Sequence, residues 1–376
     1  MSLTTSISHC LRGLATAAAL SLLATGFGTA ATSSGLARPS GHLAGVAGAA
    51  YGEAFTPTTH RAAVGNASCK VVAWASTVNQ GTVQGYQTNG ALCGTISAGP
   101  YHYGSQTYFI QYANGLATSR THLYVADKAG RIFVFSHPYL PSPTFVKVWS
   151  TSIGSTTYNP WSVCVNASDT IVGVGNYQSS GSANPVAEFF KTTLPNGSSP
   201  SHRATSPDLV SQAWCAFDVV GNFFVDGTTA LGAPEIDYVA TARVHTNTIL
   251  KNSFIGSAEY WYSMYSRIDS PVDDTLSVVG RALGCCTQTI YNWKVAGPPL
   301  GPLTFTTQLP FVLTGYPSSP SSPIYQVAPA LAINLLYIAA FYNNELVQAP
   351  ANGGSVTPWT PQHNPLGVAA VLPGQY

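Results

Sequence analysis

The sequence predicts an all-β fold: a six-bladed β-propeller of four-stranded blades, closed by the C-terminal strand pairing into the first blade. Three observations predict it. A strand-like run recurs along the chain as VVAWAS, LYVADK, IVGVGN, FFVDGT, LSVVGR and LYIAAF, anchored on Val72, Leu123, Ile171, Phe223, Leu276 and Leu336 at intervals of 48 to 60 residues. Self-similarity at that period marks a propeller or solenoid rather than separate domains. Each run is followed by a turn rich in Gly, Pro or Asn and a second strand-like stretch, as in GRIFVFSHP and QTIYNWKVAG, and the short alternating strands describe a blade. Finally, NPLGVAAV at Asn364–Val371 parallels NPWSVCVN at Asn159–Asn166, which opens the third unit, while the first unit lacks an opening strand of its own. The C-terminal strand therefore supplies it, which also removes an unpaired sheet edge.

Composition agrees with this reading. Of 376 residues only 8% are charged and 45% are hydrophobic, with 35 Gly, 26 Pro and 20 Tyr, so long charged helices and disorder are both excluded. The formal net charge is +1, and no basic patch for nucleic acid can come from that balance.

Residues 1–30 carry one cation, Arg12, then the apolar run Leu14–Phe27 and the small residues Gly28, Thr29 and Ala30. That is the pattern of a secretory signal, and the run falls short of the roughly 20 residues a membrane span needs. The expectation is an exported protein with no membrane span. Residues 31–68, rich in Ala, Gly, Ser, Thr and Pro, read as a flexible arm. Residues 69–376 form the propeller, with blades at about 69–100 plus 364–373, 115–152, 159–197, 211–252, 260–314 and 323–358.

Six cysteines follow the signal: Cys69, Cys93, Cys164, Cys215, Cys285 and Cys286. An even number in an exported chain favours disulfides, of which fifteen connectivities are open. Cys69 with Cys93 is the first choice, since the two bracket one group of strands. Cys164 and Cys215 occupy nearly equivalent places in successive repeats and can meet across neighbouring strands. Cys285 and Cys286 would remain as a vicinal pair, or as two reduced or separately paired thiols.

LYVADKAGRIFVF and GNFFVDG resemble the repeats of the NHL and gluconolactonase-like six-bladed propeller superfamily, over about residues 70–376. The resemblance implies the fold more than an activity. In propellers ligands usually sit at the channel mouth or on the rim formed by the loops between blades and those between second and third strands.

Aromatic groups are dense in the stretches assigned to that rim: Tyr101, His102, Tyr103 and Tyr108, then Tyr158 and Trp161, then Tyr260, Trp261 and Tyr262, then Tyr316 and Tyr325, then Trp359 and His363. Such rings suit stacking on sugars or gripping an extended peptide, and they equally serve as wedges between blades. The superfamily's divalent ion takes a carboxylate from the first inner strand, and GVAAV has none. Asn166 and Asp218 fall on the opposite rim, whereas Asp127, Asp226 and Asn343 sit at the ligand-rim end of second strands, where acids commonly serve turns. No cofactor is predicted, with calcium as the ion to test. The histidines His102, His122, His137, His202, His245 and His363 lack ligand spacing, and no GxSxG or P-loop occurs. Sequons stand at Asn66, Asn166 and Asn196. The resulting expectation is an exported, monomeric, non-catalytic binding module for extracellular polysaccharide or protein. The competing class is a metal-dependent lactonase-like hydrolase.

Overall fold

The computed structural model describes residues 69–371, apart from 78–80, 154–155, 180–184, 219, 231–233, 241–243, 245–247, 250, 256–257, 269–273, 283–287, 297–303, 315–323, 331–332, 341–343 and 352–353; over 245–325 it describes strands but not side chains. The predicted signal and arm lie outside the described residues. The chain divides into Met1–Val46 and Ala47–Tyr376, and every described residue belongs to the second unit.

The fold is an all-β propeller with four-stranded blades. The first sheet runs Pro365–Ala370, Ala73–Thr77, Thr82–Tyr86, Leu92–Ile96. The second runs Ala113–Thr118, His122–Asp127, Arg131–Ser136, Thr144–Ser150. The third is built on Thr156–Val165, Ile171–Ser179, Val186–Lys191 and His202–Thr205, and the fourth on Leu209–Phe217, Phe223–Thr229, Pro234–Val239 and Lys251–Ile255. The fifth is built on Ala258–Ile268, Asp274–Ala282, Gln288–Ala296 and Thr304–Thr314, and the sixth on Ile324–Ala330, Leu335–Ala340, Glu345–Pro350 and Thr357–Pro361. All these pairings are antiparallel, and Ala73 opposes Ala370 in the pairing of Ala73–Thr77 with Pro365–Ala370.

Two sheets carry further strands beside their four. Thr248–Ile249, from the fourth sheet's third-to-fourth connection, pairs parallel with His202–Thr205 of the third sheet. Gly354–Ser355, from the same connection of the sixth sheet, pairs parallel with Thr304–Thr314 of the fifth. The third sheet also carries Ser152–Ile153 beside its inner strand. A related strap covers the second sheet: Gly197 donates to the Val148 carbonyl at 2.7 Å and Ser150 to that of Ser198 at 2.9 Å. A strand edge left bare recruits other chains, so a connection laid along it is protective.

Alternation in each strand sends side chains to both faces, and both faces are covered by the neighbouring sheets. The core therefore lies between sheets. Tyr124, Ile132 and Trp149 of the second sheet meet Val163, Val172 and Phe190 of the third, and Trp149 stacks on Phe190 at 5.2 Å. The inner strands pack in succession: Pro365–Ala370 on Ala113–Thr118, then Thr156–Val165, Leu209–Phe217, Ala258–Ile268 and Ile324–Ala330, the last lying also against Pro365–Ala370. They come close enough to demand glycine. A Cβ at Gly367 would stand 2.1 Å from the Asn114 carbonyl oxygen, and one at Gly115 would stand 2.7 Å from the Ser162 Cα.

Candidate functional site

Each inner strand breaks register with its partner near its beginning, for example between Ala113 and Leu116, between Gln212 and Cys215, and between Ile324 and Val327. A bulge turns backbone groups away from the ladder, and buried ones need partners. Side chains supply them. The Gln326 amide oxygen accepts from Leu116 N at 3.1 Å and Val368 N at 2.9 Å, while its nitrogen donates to the Leu116 carbonyl at 2.8 Å. One amide thus ties the inner strands of the sixth, second and first sheets. Ser76 Oγ accepts from Gly367 N at 2.7 Å and donates to the Asn114 carbonyl at 2.8 Å. This polar seam around the inner strands escaped the sequence reading. A Gln, Asn or Ser inside an apolar strand, as in IYQVAPA, was its available signal.

The aromatic groups assigned to the rim separate. Tyr158 and Trp161 lie in an inner strand rather than a loop and are 8% and 1% exposed. Trp161 packs on Tyr177 at 5.1 Å and Trp214 at 6.4 Å, so it is wall rather than surface. Tyr260, Trp261 and Tyr262 fall in the inner strand Ala258–Ile268, and Tyr325 in Ile324–Ala330, instead of in loops. Their side chains, and Tyr316 entirely, lie outside the described residues. Trp359 belongs to an outer strand, not a connection, and packs on Tyr337 at 4.6 Å with its indole donating to the Thr88 carbonyl at 3.1 Å. His363 is exposed on the turn into the C-terminal strand.

The remaining group forms a hairpin, Tyr101–Tyr103 paired with Gln106–Tyr108, in the connection between the first and second sheets. Gly104, at φ 59°, makes its turn in a left-handed conformation that suits glycine. Tyr101 anchors it, lying 5.1 to 5.8 Å from Phe133, Phe135 and Phe145. The Tyr108 hydroxyl accepts from Asn196 at 3.2 Å, and the Arg131 guanidinium lies 5.8 Å from its ring centre. Tyr103 and Phe109 remain 47% and 43% exposed, with His102 exposed between the anchors.

The acids assigned to the ligand rim are structural. Asp127 accepts from Tyr112 N at 2.8 Å, Gln111 N at 3.3 Å and Ala129 N at 3.3 Å, and burial still pushes its pKa up to about 6 against those amides and Arg131. Asp226 accepts from Trp214 N at 2.6 Å, and its complete burial raises it well above the carboxylate range. Glu188, bonded by Asn176 at 3.1 Å and 3.8 Å from Arg203, is raised by burial to about 8. Asn343 lies outside the described residues. Among the described residues no three His, Cys, Asp or Glu side chains are grouped to hold a metal. Asn166 and Asp218 cap turns on the opposite rim, Asn166 accepting from Thr170 N and Ile171 N.

Cys69 pairs with Cys93, and Cys164 with Cys215, at Cα separations of 6.0 and 5.9 Å. The second bond joins the inner strands of the third and fourth sheets. Cys285 and Cys286 lie outside the described residues. Two sequons are engaged: Asn166 in its turn, and Asn196 through a 2.8 Å bond from Val148 N and its bond to Tyr108. Among the described residues no helix is long and apolar enough to cross a membrane.

No family model matches the chain, and no curated protein does. Solved structures do match it. A chain of the nidogen/laminin complex superposes with a TM-score of 0.52 at 15% identity, covering 81% of this chain and 98% of that one. A functionally unknown protein from Desulfotomaculum acetoxidans DSM 771 gives 0.49 at 13%, covering 81% and 99%. The periplasmic gluconolactonase of Pseudomonas aeruginosa gives 0.47 at 9%, covering 80% and 98%. The nidogen/laminin likeness shows the β-propeller fold, and at that identity it shows nothing finer.

Proposed function

We propose that the protein is an exported binding module, a ring of six blades closed by the C-terminal strand, whose rim takes an extracellular polysaccharide or protein. The observation that carries the reading is the 101–109 hairpin. Tyr101 fixes it to the second sheet and Tyr108 to Asn196 of a third-sheet connection, while His102, Tyr103 and Phe109 stand exposed, which is how a rigid aromatic platform is presented at low entropic cost. The cyclic succession of inner strands and the Ala73–Ala370 pairing support closure. Two disulfides suit an oxidising compartment, and the apolar run in residues 14–27 suits export. The nidogen/laminin structure is itself a complex between proteins.

The test is calorimetric titration of the natively secreted protein with neutral glucan and xylan oligosaccharides and with purified extracellular proteins, beside a Tyr103→Ser/Phe109→Ser variant. Binding by the wild-type chain and its loss in the variant, with an unchanged melting temperature, is expected. Hydrolysis of a lactone that depends on one bound divalent ion per chain, found by elemental analysis, would replace this reading with the hydrolase one.

A further inference from the structure

A nearly neutral chain can still carry charge unevenly. Residues 69–150, the first two sheets with their connections, hold the cations Lys70, Arg120, Lys128, Arg131 and Lys147 and a single acid, Asp127. That acid contributes nothing to the surface. It is 0% exposed, and its carboxyl oxygens accept from the Gln111, Tyr112 and Ala129 amides. Residues 192–201, the connection whose Asn196 bonds to Tyr108, add no charge of either sign. The flank that carries the 101–109 hairpin is therefore cationic, although the chain as a whole is only +1.

Two of these cations lie beside the aromatic platform. Asp127 ends the second strand of the second sheet and Arg131 opens the third, so Lys128 and Arg131 stand on the turn between them. The chain leaving the hairpin is stitched to that turn. Gln111 N and Tyr112 N donate to Asp127 at 3.3 and 2.8 Å, and Lys128 N donates to the Tyr112 carbonyl at 3.0 Å. The Arg131 guanidinium lies 5.8 Å from the Tyr108 ring centre. On the same connection His102, Tyr103, Gln106, Phe109 and Gln111 are exposed. Rings stack on the faces of sugars, amides meet their hydroxyls, and a guanidinium takes a carboxylate. Burial lowers Lys128 to about 8, and a carboxylate placed beside it favours the charged form again.

We propose that this platform selects an anionic polysaccharide, a chain of uronic-acid sugars whose rings stack on Tyr103 and Phe109 while their carboxylates pair with Arg131 and Lys128. The inference rests on the binding-module reading and narrows its ligand. Charge complementarity calls for an acidic occupant, and the exposed rings call for one with flat faces. An acidic peptide fits less well, because strand addition needs a longer edge than the three-residue strands Tyr101–Tyr103 and Gln106–Tyr108 offer. A polynucleotide needs more phosphate contacts than two cations supply.

The test is calorimetric titration of the natively secreted protein, in chelator-containing buffer, with hexagalacturonate, the neutral xylohexaose and polyglutamate. Hexagalacturonate is expected to bind tightest and to weaken about tenfold as sodium chloride rises from about 50 to about 500 mM, because the ion pairs are screened. Xylohexaose is expected to bind about tenfold more weakly and without that salt dependence. Arg131→Gln is expected to weaken hexagalacturonate about tenfold and to leave xylohexaose unchanged. Lys128→Gln, on the turn itself, supplies the same comparison should Arg131→Gln lower the melting temperature. Equal, salt-independent binding of the two sugars, lost in Tyr103→Ser/Phe109→Ser, would overturn the anionic preference and leave the platform standing. Hexagalacturonate binding that survives Tyr103→Ser/Phe109→Ser, or no binding of either sugar, would overturn the preference and the platform as its site together. Tighter binding of polyglutamate would overturn the proposal in favour of an acidic peptide.

Discussion

Two joints between sheets show different ways of holding a propeller together. Where the sixth sheet meets the first, most facing residues are small: Ala73, Ala75, Ala328, Ala330, Ala339 and Ala370, beside Leu346 and Val368, with Tyr86, Tyr337 and Trp359 completing the cluster. Where the third meets the fourth, they are large: Phe189 lies 4.9 Å from Phe223, Phe217 lies 5.3 Å from it, and the Cys164–Cys215 bond crosses the joint. The alanine joint borders the sheet in which Pro365–Ala370 pairs with Ala73–Thr77. Each alanine buries little apolar area, so the joint leans on backbone pairing and on polar stitches, namely Gln326 and the bonds of Gln362 to Tyr86 and Thr77. The phenylalanine joint lies within a continuous chain and is held by ring burial and a covalent tie. The contrast teaches that a blade completed by a strand from the far end of the chain is secured by hydrogen-bonded fit, whereas one built from consecutive residues can rely on bulk.

The largest expected effect comes from truncation after Gln362. Removing Pro365–Ala370 takes away the inner strand of the first sheet and strips the Gln326 amide of Val368, so cooperative melting by calorimetry is expected to vanish. A shortened chain that still melts in one transition at the wild-type temperature would break the comparison. Next, Phe223→Ala at the other joint leaves a ring-sized cavity and is expected to cost about 3–5 kcal/mol by denaturant unfolding. Opening Cys164–Cys215 by Cys215→Ser, across a sequence separation of 51, is expected to cost roughly 3–4 kcal/mol. The smallest and sharpest test pits Gln326→Leu against Gln212→Leu. The first orphans Leu116 N, its carbonyl and Val368 N and is expected to cost about 1–3 kcal/mol. The second removes one 3.4 Å bond from Asn176 N and is expected to cost less than half of that. Equal losses would remove the distinction between the stitched joint and the packed one.

Much of this was legible in the chain. The second strands begin within a residue or two of the repeat anchors, as in Ile171–Ser179 and Phe223–Thr229, because period-two alternation between Gly and Asn turns leaves little else for those segments to be. The Cys164–Cys215 bond follows from the repeat, since equivalent positions one unit apart land on adjacent inner strands, and Cys69–Cys93 follows from the two cysteines bracketing one group of strands. The extra strands on the third and fifth sheets were not legible, because Thr248–Ile249 and Gly354–Ser355 acquire strand geometry only from the edge they lie on.

The candidate site divides in the same way. Trp161 and Tyr103 read alike as aromatic residues near a connection, yet one is wall and the other surface. Glu235 and Asp237 are legible as a same-face pair, but nothing local says that both are buried or that Ser206 bonds to Asp237. The sequence by itself determined which residues alternate, where the chain turns, and that Pro365–Ala370 joins the first sheet. Only the tertiary structure decided which faces meet protein and which meet water. Alternation is set by neighbours along the strand, whereas burial is set by the sheet packed against it.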